Sequence, residues 1–296
     1  MSGVTKRFDD LVALRNIDLK VGPGSIYGLV GSNGAGKTTL LKLLAGVYLQ
    51  DEGEILINQE PVYENVKVKS GIAFIPDESS FFPTYSVKNM AVFYRKIYPT
   101  WNEERFQRLQ EVFQVSMDKW IHRLSKGMQK QAAFWLALST MPEVIILDEP
   151  LDGLDPVMRK QVKNLLIQDV AERGTSVIIS SHNLRELEDL CDHIGIIHKG
   201  ELLLDQELDE LKIRLHKVQA AFPPGTPAER LVHPGLIYRE ERGSTTIFII
   251  KGDREEITDH YMRCNPVILD MLAPTLEEIF IYEMGDAGYE IQNILV

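Results

Sequence analysis

Gly31-Ser32-Asn33-Gly34-Ala35-Gly36-Lys37-Thr38 is the stretch whose reading decides the fold. It fits the spacing G-x-x-x-x-G-K-[ST]. A short apolar run, Ile26 to Val30, precedes it. A helix pattern, Lys37 to Ala45 with Leu40, Leu41, Leu43 and Leu44, follows it. Strand, glycine loop and helix in that order give the spacing its physical meaning. The glycines let the backbone curl so that successive N–H groups point inward at phosphate oxygens. The start of the helix adds a favourable field for anions. Lys37 is expected on the β- and γ-phosphates of a nucleotide, and the Thr38 hydroxyl on Mg²⁺, with Thr39 beside them.

A second cluster lies downstream in Val144-Ile145-Ile146-Leu147-Asp148-Glu149-Pro150, where an apolar strand ends in two adjacent carboxylates. The carboxyl end of a parallel strand is where ligands bind in such sheets. Asp148 is expected to hold Mg²⁺. Glu149 is then free to polarise the attacking water as a general base. Around these clusters, strand patterns (Glu54 to Ile57, Ile72 to Ile75, Val177 to Ser180) alternate with helix patterns such as Pro156 to Glu172. Short all-apolar strands between amphipathic helices imply a parallel sheet covered on both faces, an α/β class. From about Ser86 to Thr140 the patterns are mainly helical.

With these residues in place, residues 4 to about 215 resemble the nucleotide-binding subunit of ATP-binding-cassette (ABC) transporters. Leu124-Ser125-Lys126-Gly127-Met128 is similar to the family signature Leu-Ser-Gly-Gly-Gln, and Leu151-Asp152-Gly153-Leu154-Asp155 resembles its D-loop. His182 resembles the switch histidine, and Phe8 the aromatic that stacks on adenine. Ile75-Pro76-Asp77 falls where the Q-loop belongs, with Asp77 in place of the family's Mg²⁺-binding Gln. Lys126 and Met128 are the departures within the signature. The resemblance implies a P-loop NTPase fold of the ABC ATPase type, with a helical subdomain at about 78–140. It implies ATP and Mg²⁺ as ligands. Nucleotide contacts would come from Phe8, Gly31 through Thr39, Ser125, Gly127 and Asp155. Thr38, Asp148 and Asp77 would contact the metal, and Lys37, Glu149 and His182 would serve catalysis. It also implies a head-to-tail dimer, either of two copies or with a second ABC ATPase. Two ATPs would lie between the phosphate loop of one subunit and the signature of the other, driving separate membrane permease chains.

The composition shifts after about Lys217. Phe222-Pro223-Pro224-Gly225-Thr226-Pro227 reads as a linker or loop. Strand-like runs follow at Leu236 to Glu240, Thr245 to Lys251 and Val267 to Met271, with a helix at Arg254 to Arg263. A last helix is expected to start at a Thr275 cap, with Glu277 and Glu278 in its first turn. The expected organisation is thus a nucleotide-binding domain over 1–217 and a small α+β accessory domain over 218–296. This tail resembles the accessory domain of bacterial drug- and bacitracin-efflux ATPases, including a group induced by cell-wall antibiotics and linked to acetoin use. Arg95 to Trp101 and Thr275 to Phe280 carry that resemblance.

Bulk properties bound the alternatives. The 296 residues are 44% hydrophobic and 25% charged, near the globular average, with a net charge of −11. An acidic chain lacks the basic footprint of nucleic-acid binders, so no nucleic-acid partner is expected. Two cysteines, Cys191 and Cys264, make no disulfide framework and are expected as packed thiols. The longest apolar run is Ala132 to Leu138, far short of the roughly 18 residues of a spanning helix. The N-terminus has no apolar signal core. The expected place is therefore the cytoplasm, on the inner face of the membrane through the permease.

The competing reading is a soluble ABC ATPase acting on ribosomes or DNA. Ribosome-acting relatives usually fuse two cassettes, and DNA-repair relatives insert a long coiled coil. This sequence has one phosphate loop and no such insertion. A non-hydrolysing scaffold would need a broken site, and a small-molecule kinase would not explain the signature. His193 and His198 flank an apolar strand and are expected to be ordinary satisfied histidines. Trp101, Trp120 and Trp135 are expected in core or partner packing.

Overall fold

In the computed structural model, which describes residues 1–78 and 81–280, every residue of the strands Ile26–Val30 and Val144–Asp148 is buried. Both lie inside a six-stranded sheet. Its order is Glu201–Glu207, His193–His198, Ile26–Val30, Ser176–Ser181, Val144–Asp148, Ile72–Ile75. The five strands from His193–His198 to Ile72–Ile75 run parallel. Their carboxyl ends therefore share one edge, and the loops leaving Val30, Ile75, Asp148 and Ser181 converge there. Register fixes the details: Val30 pairs with Ser181, and Asp148 with Ser180.

A three-stranded antiparallel sheet, Leu11–Ile17, Ser2–Phe8 and Glu52–Glu54, adds Val4, Leu14 and Ile17 to the core under the helix Lys37–Leu44. The run expected as one strand over Glu54 to Ile57 is split. Glu52–Glu54 joins this sheet, while Leu56–Ile57 turns back on Glu60–Pro61 as a hairpin. Asn58 and Gln59 both have positive φ, 51° and 67°. Such a two-residue turn matches the twist of a tight hairpin.

The helical region holds Val87–Ile97, Glu103–Phe113 and Lys126–Ser139. Ser86 and Asn89 form a reciprocal capping box at the first. Trp135, fully buried, stacks on Phe106 at 4.8 Å and donates its indole N–H to Phe106 O at 2.7 Å.

The chain divides into two units, Met1–Asp205 and Gln206–Val296. The second contains a four-stranded antiparallel sheet in the order Leu236–Arg242, Thr245–Lys251, Leu215–Ala221, Ile268–Leu272. The helix Arg254–Met262 contributes Ile257 and Tyr261 to a core with Val218, Phe248 and Ile250. Lys217 lies inside the strand Leu215–Ala221, so a boundary drawn after it runs through this sheet. The Pro-rich stretch 222–227 connects that strand to the turn Ala228–Leu231 within the same unit. Thr275 caps the following helix: its Oγ1 accepts from Glu278 N at 3.2 Å, and Thr275 N donates to Glu278 Oε2 at 2.9 Å.

Candidate nucleotide site

The loop after Ile26–Val30 wraps the start of the helix Lys37–Leu44. Gly36 occupies the cap position at φ 111°, where a side chain is strained. A Cβ there would also meet Leu14 Cδ2 at 2.8 Å. The loop therefore closes tightly beside a cavity of about 520 Å³. That is the size of a small-ligand pocket. Phe8, Ser32, Asn33, Gly34, Lys37, Thr38, Thr39, Asp77 and Glu149 all border it. Phe8, 37% exposed, presents its ring at the rim with Tyr48 edge-on at 5.4 Å.

Lys37 is 6% exposed, yet carries a cation. It donates to Gly31 O at 2.6 Å, and its Nζ lies 3.3 Å from Glu149 Oε1. Thr38 Oγ1 donates to Asp148 Oδ2 at 2.7 Å. The other Asp148 oxygen accepts from Ser180 Oγ, also at 2.7 Å, and Ser180 Oγ in turn accepts from Glu149 N at 3.0 Å. The strand register places Ser180 beside Asp148, so one hydroxyl binds the Asp148 carboxylate and the Glu149 backbone N–H. Glu149 Oε2 accepts from His182 N at 3.2 Å and lies 3.0 Å from His182 Nδ1. The imidazole is half exposed.

Glu149 itself has φ 44°, a left-handed conformation unusual for a side-chain-bearing residue. Such strain costs roughly 1–3 kcal/mol and persists only where the surroundings enforce it. Both of its backbone polar groups are held by side chains: the N–H by Ser180, the carbonyl by Lys130 Nζ at 2.7 Å. Lys130 also pairs with Asp77 Oδ1 at 3.4 Å, and Asp77 is otherwise 55% exposed.

These groups fit a magnesium nucleotide. A phosphate would meet the Lys37 ammonium and the loop N–H groups. A hydroxyl and a carboxylate oxygen, Thr38 Oγ1 and Asp148 Oδ2, already converge as hard oxygen donors suited to Mg²⁺. Asp77 faces the same cavity, but with one oxygen on Lys130.

Of the expected site residues, Gly31, Ala35, Asp148 and His182 do not line this cavity but adjoin or bond residues that do, and Ser125, Gly127 and Asp155 also lie outside its lining. Ser125 caps the helix Lys126–Ser139 by accepting from Met128 N at 3.3 Å, and its side chain is exposed. Gly127 packs so closely under the D-loop that a Cβ would sit 2.6 Å from Gly153 O. Asp155 caps the helix Pro156–Arg173, accepting from Val157 N and Met158 N at 3.0 and 2.9 Å. A second cavity of about 460 Å³ lies among Asp77, Glu78, Lys126, Gln129, Lys130, Asp152 and Gly153.

Sequence reasoning missed Ser180 and Lys130. Ser180 was signalled by a polar residue ending an all-apolar strand. Lys130 was signalled by a lysine three and four residues from Ala133 and Phe134, on an apolar helix face. His193, by contrast, is satisfied by Asp205 Oδ1 at 2.8 Å. Cys191 is buried, and both cysteines are free thiols. Among the described residues, no helix is long and apolar enough to cross a membrane.

A model of the ABC transporter family matches residues 14–152. Over 95% of this chain and 96% of the relative, the sequence is 33% identical to the ABC transporter ATP-binding protein YtrB of Bacillus subtilis (strain 168). It is 34% identical to the bacitracin transport ATP-binding protein BcrA of Bacillus licheniformis, over 72% of this chain and 71% of that one. Among solved structures, a dimeric ATP-binding cassette in a post-hydrolysis state, bound to ADP and Pi, superposes with a TM-score of 0.64 at 21% identity. That match covers 70% of this chain and 97% of the other.

Proposed function

The chain belongs to the ABC transporter ATP-binding proteins, and from that premise we propose that it binds and hydrolyses ATP to power an export-type transporter whose membrane permease subunits are separate chains. The observation that carries the reading is the convergence of Lys37, Thr38, Asp148, Glu149 and His182 at the carboxyl edge of one parallel sheet.

Each side chain has a task that its present contacts suit. Lys37 exchanges Gly31 O and Glu149 for the β- and γ-phosphates, so the buried ammonium stays matched throughout. The N–H groups of the loop residues that line the cavity, among them Ser32, Asn33, Gly34 and Gly36, orient the phosphates, and Phe8 stacks on the base at the rim. Thr38 and Asp148 are the residues that would hold Mg²⁺. The ion supplies a Lewis acid that offsets phosphate charge. Glu149 takes the proton from the attacking water, and His182 holds its Oε2 in place. Asp77, also expected on the metal, would have its second oxygen to offer the ion, since Lys130 engages Oδ1.

Two copies, or this chain and a second ABC ATPase, meet head to tail. The cassette that shares its fold is a dimer carrying ADP and Pi. Ser125 and Lys126 are exposed at a helix start, where a partner's γ-phosphate would find a hydroxyl, N–H groups and a positive side chain. Removing that phosphate removes the bridge, and the dimer opens. The relatives carry names of transporter ATP-binding proteins, which favours this reading over a ribosome- or DNA-acting ATPase.

Replacing Glu149 by Gln tests it. The variant is expected to bind Mg-ATP, to lose about a hundredfold or more in turnover, and to accumulate as a dimer on sizing. Wild-type turnover in that variant would refute the assignment. Co-purification with a permease from membranes tests the coupling.

A further inference from the structure

Lys130 projects from the buried face of the helix Lys126–Ser139, among Ala133, Phe134 and Ala137. Its side chain is only 8% exposed. A buried ammonium is unfavourable unless matched. Two acceptors match it here, Glu149 O at 2.7 Å and Asp77 Oδ1 at 3.4 Å. We propose that Lys130 is a positioning residue that holds the Glu149 base in its strained backbone conformation, and that Asp77 acts on hydrolysis through Lys130. The proposal rests on the reading of Glu149 as the base.

Three observations support it. Glu149 sits at φ 44° with both backbone polar groups tied to side chains. Freed from Lys130, its carbonyl loses a charged donor, and the residue can relax toward an ordinary conformation. That would carry the carboxylate away from Lys37 and His182. Second, a lone carboxylate at Asp77 would repel a γ-phosphate in the cavity it borders. Beside an ammonium the pair adds no net charge. Third, Asp77 borders both the phosphate cavity and the second cavity, and Lys130 lines the latter. One side chain thus links the Ile75-Pro76-Asp77 turn to the peptide of the catalytic acid. Movement of that turn would reach Glu149 without passing through the nucleotide.

Steady-state hydrolysis by the purified full chain, with ATP and Mg²⁺ each titrated, tests the proposal. The set is wild type, Glu149→Gln, Lys130→Met, Lys130→Arg, Asp77→Asn and the double Lys130→Met/Asp77→Asn. Lys130→Met is expected to lower kcat about tenfold, with KM for ATP and the half-saturating Mg²⁺ within about twofold of wild type. Lys130→Arg should recover most of the turnover, since it keeps the charge and donors. Asp77→Asn should lower kcat about threefold, and the double variant should be no slower than Lys130→Met alone. Wild-type kcat in Lys130→Met, beside a dead Glu149→Gln, overturns this proposal and leaves the base assignment standing. Additive losses in the double variant overturn it as well. So does an Asp77→Asn variant that needs more Mg²⁺ at unchanged kcat, which would make Asp77 a direct ligand. A fully active Glu149→Gln overturns the base assignment and this proposal together. If Lys130→Met fails to fold, Asp77→Asn still decides, because its exposed loop tolerates the change and its kcat and Mg²⁺ readouts separate the two roles.

Discussion

Ser180→Ala removes a single oxygen, and the structure says how much that oxygen carries. The Ser180 hydroxyl is fully buried, donates to Asp148 Oδ1 at 2.7 Å and accepts from Glu149 N at 3.0 Å. Asp148 is itself 2% exposed, so its lost bond is charge-assisted and water does not replace it. Such a bond contributes roughly 1.5–3 kcal/mol. Thr38 still donates to the other oxygen, which keeps the loss at the low end. The Glu149 N–H is less enclosed and adds about 1 kcal/mol. Together the variant should be about 2.5 kcal/mol less stable. With a urea dependence of roughly 2–3 kcal/mol per molar, that moves the midpoint of the first unit down by about 1 M. Turnover should fall about tenfold, since Glu149 loses one of the two tethers on its left-handed backbone. Urea titration followed by far-UV circular dichroism, with Mg-ATP hydrolysis in parallel, measures both. An unchanged midpoint and unchanged turnover would refute the reasoning that one hydroxyl organises the two acids.

Two further predictions follow from equally local contacts. Lys37→Ala should reduce Mg-ATP affinity and cut turnover by about a hundredfold or more while the chain stays folded, because the lysine contacts loop carbonyls and Glu149 rather than the apolar core; calorimetric binding with Mg-ADP checks it, and undiminished affinity would contradict the site. Burial alone would raise the Glu278 carboxyl, but its bonds with Lys217 and Thr275 outweigh that and hold it below the usual range. A depressed carboxylate stabilises the fold above its unfolded pKa, and that contribution is lost as pH falls through the lowered folded value. Lys217→Met should therefore be less stable than wild type at pH 7, by up to about 1 kcal/mol, with the gap closing as pH falls through the lowered value of Glu278; thermal melts across pH check it, and a gap that persists in acid would contradict it.

The parts of the fold that were legible in the sequence are those where burial is two-sided. Ile26–Val30 and Thr245–Lys251 have the bounds that their apolar runs predict. Ser2–Phe8 and Leu11–Ile17 are mostly polar or half-buried, and carry no comparable pattern. Leu215–Ala221 alternates weakly beside a Pro-rich loop, so it reads as the end of one region rather than the inner strand of another sheet. At the site, loop and strand-end motifs point to Lys37 with Thr38 and to Asp148 with Glu149 because each pair is adjacent in the chain within a recognisable pattern. The bonds among them do not follow from spacing. That Ser180 bridges two acids depends on register between strands 32 residues apart. That Lys130 meets Asp77 depends on a helix from one region crossing a turn from another.

The three tryptophans all fall between residues 101 and 135, so intrinsic fluorescence is a local optical probe of the helical region. Trp135, with no solvent access and its ring on Phe106, should emit to the blue. Trp120 is 40% exposed beside the Arg123 guanidinium, and should emit to the red and be quenched by iodide. The second unit contains no indole and is spectroscopically dark in this channel. A melt recorded at tryptophan wavelengths would therefore follow the unit Met1–Asp205 and not Gln206–Val296. A disagreement between that melt and one recorded by circular dichroism would mark separate transitions in the chain.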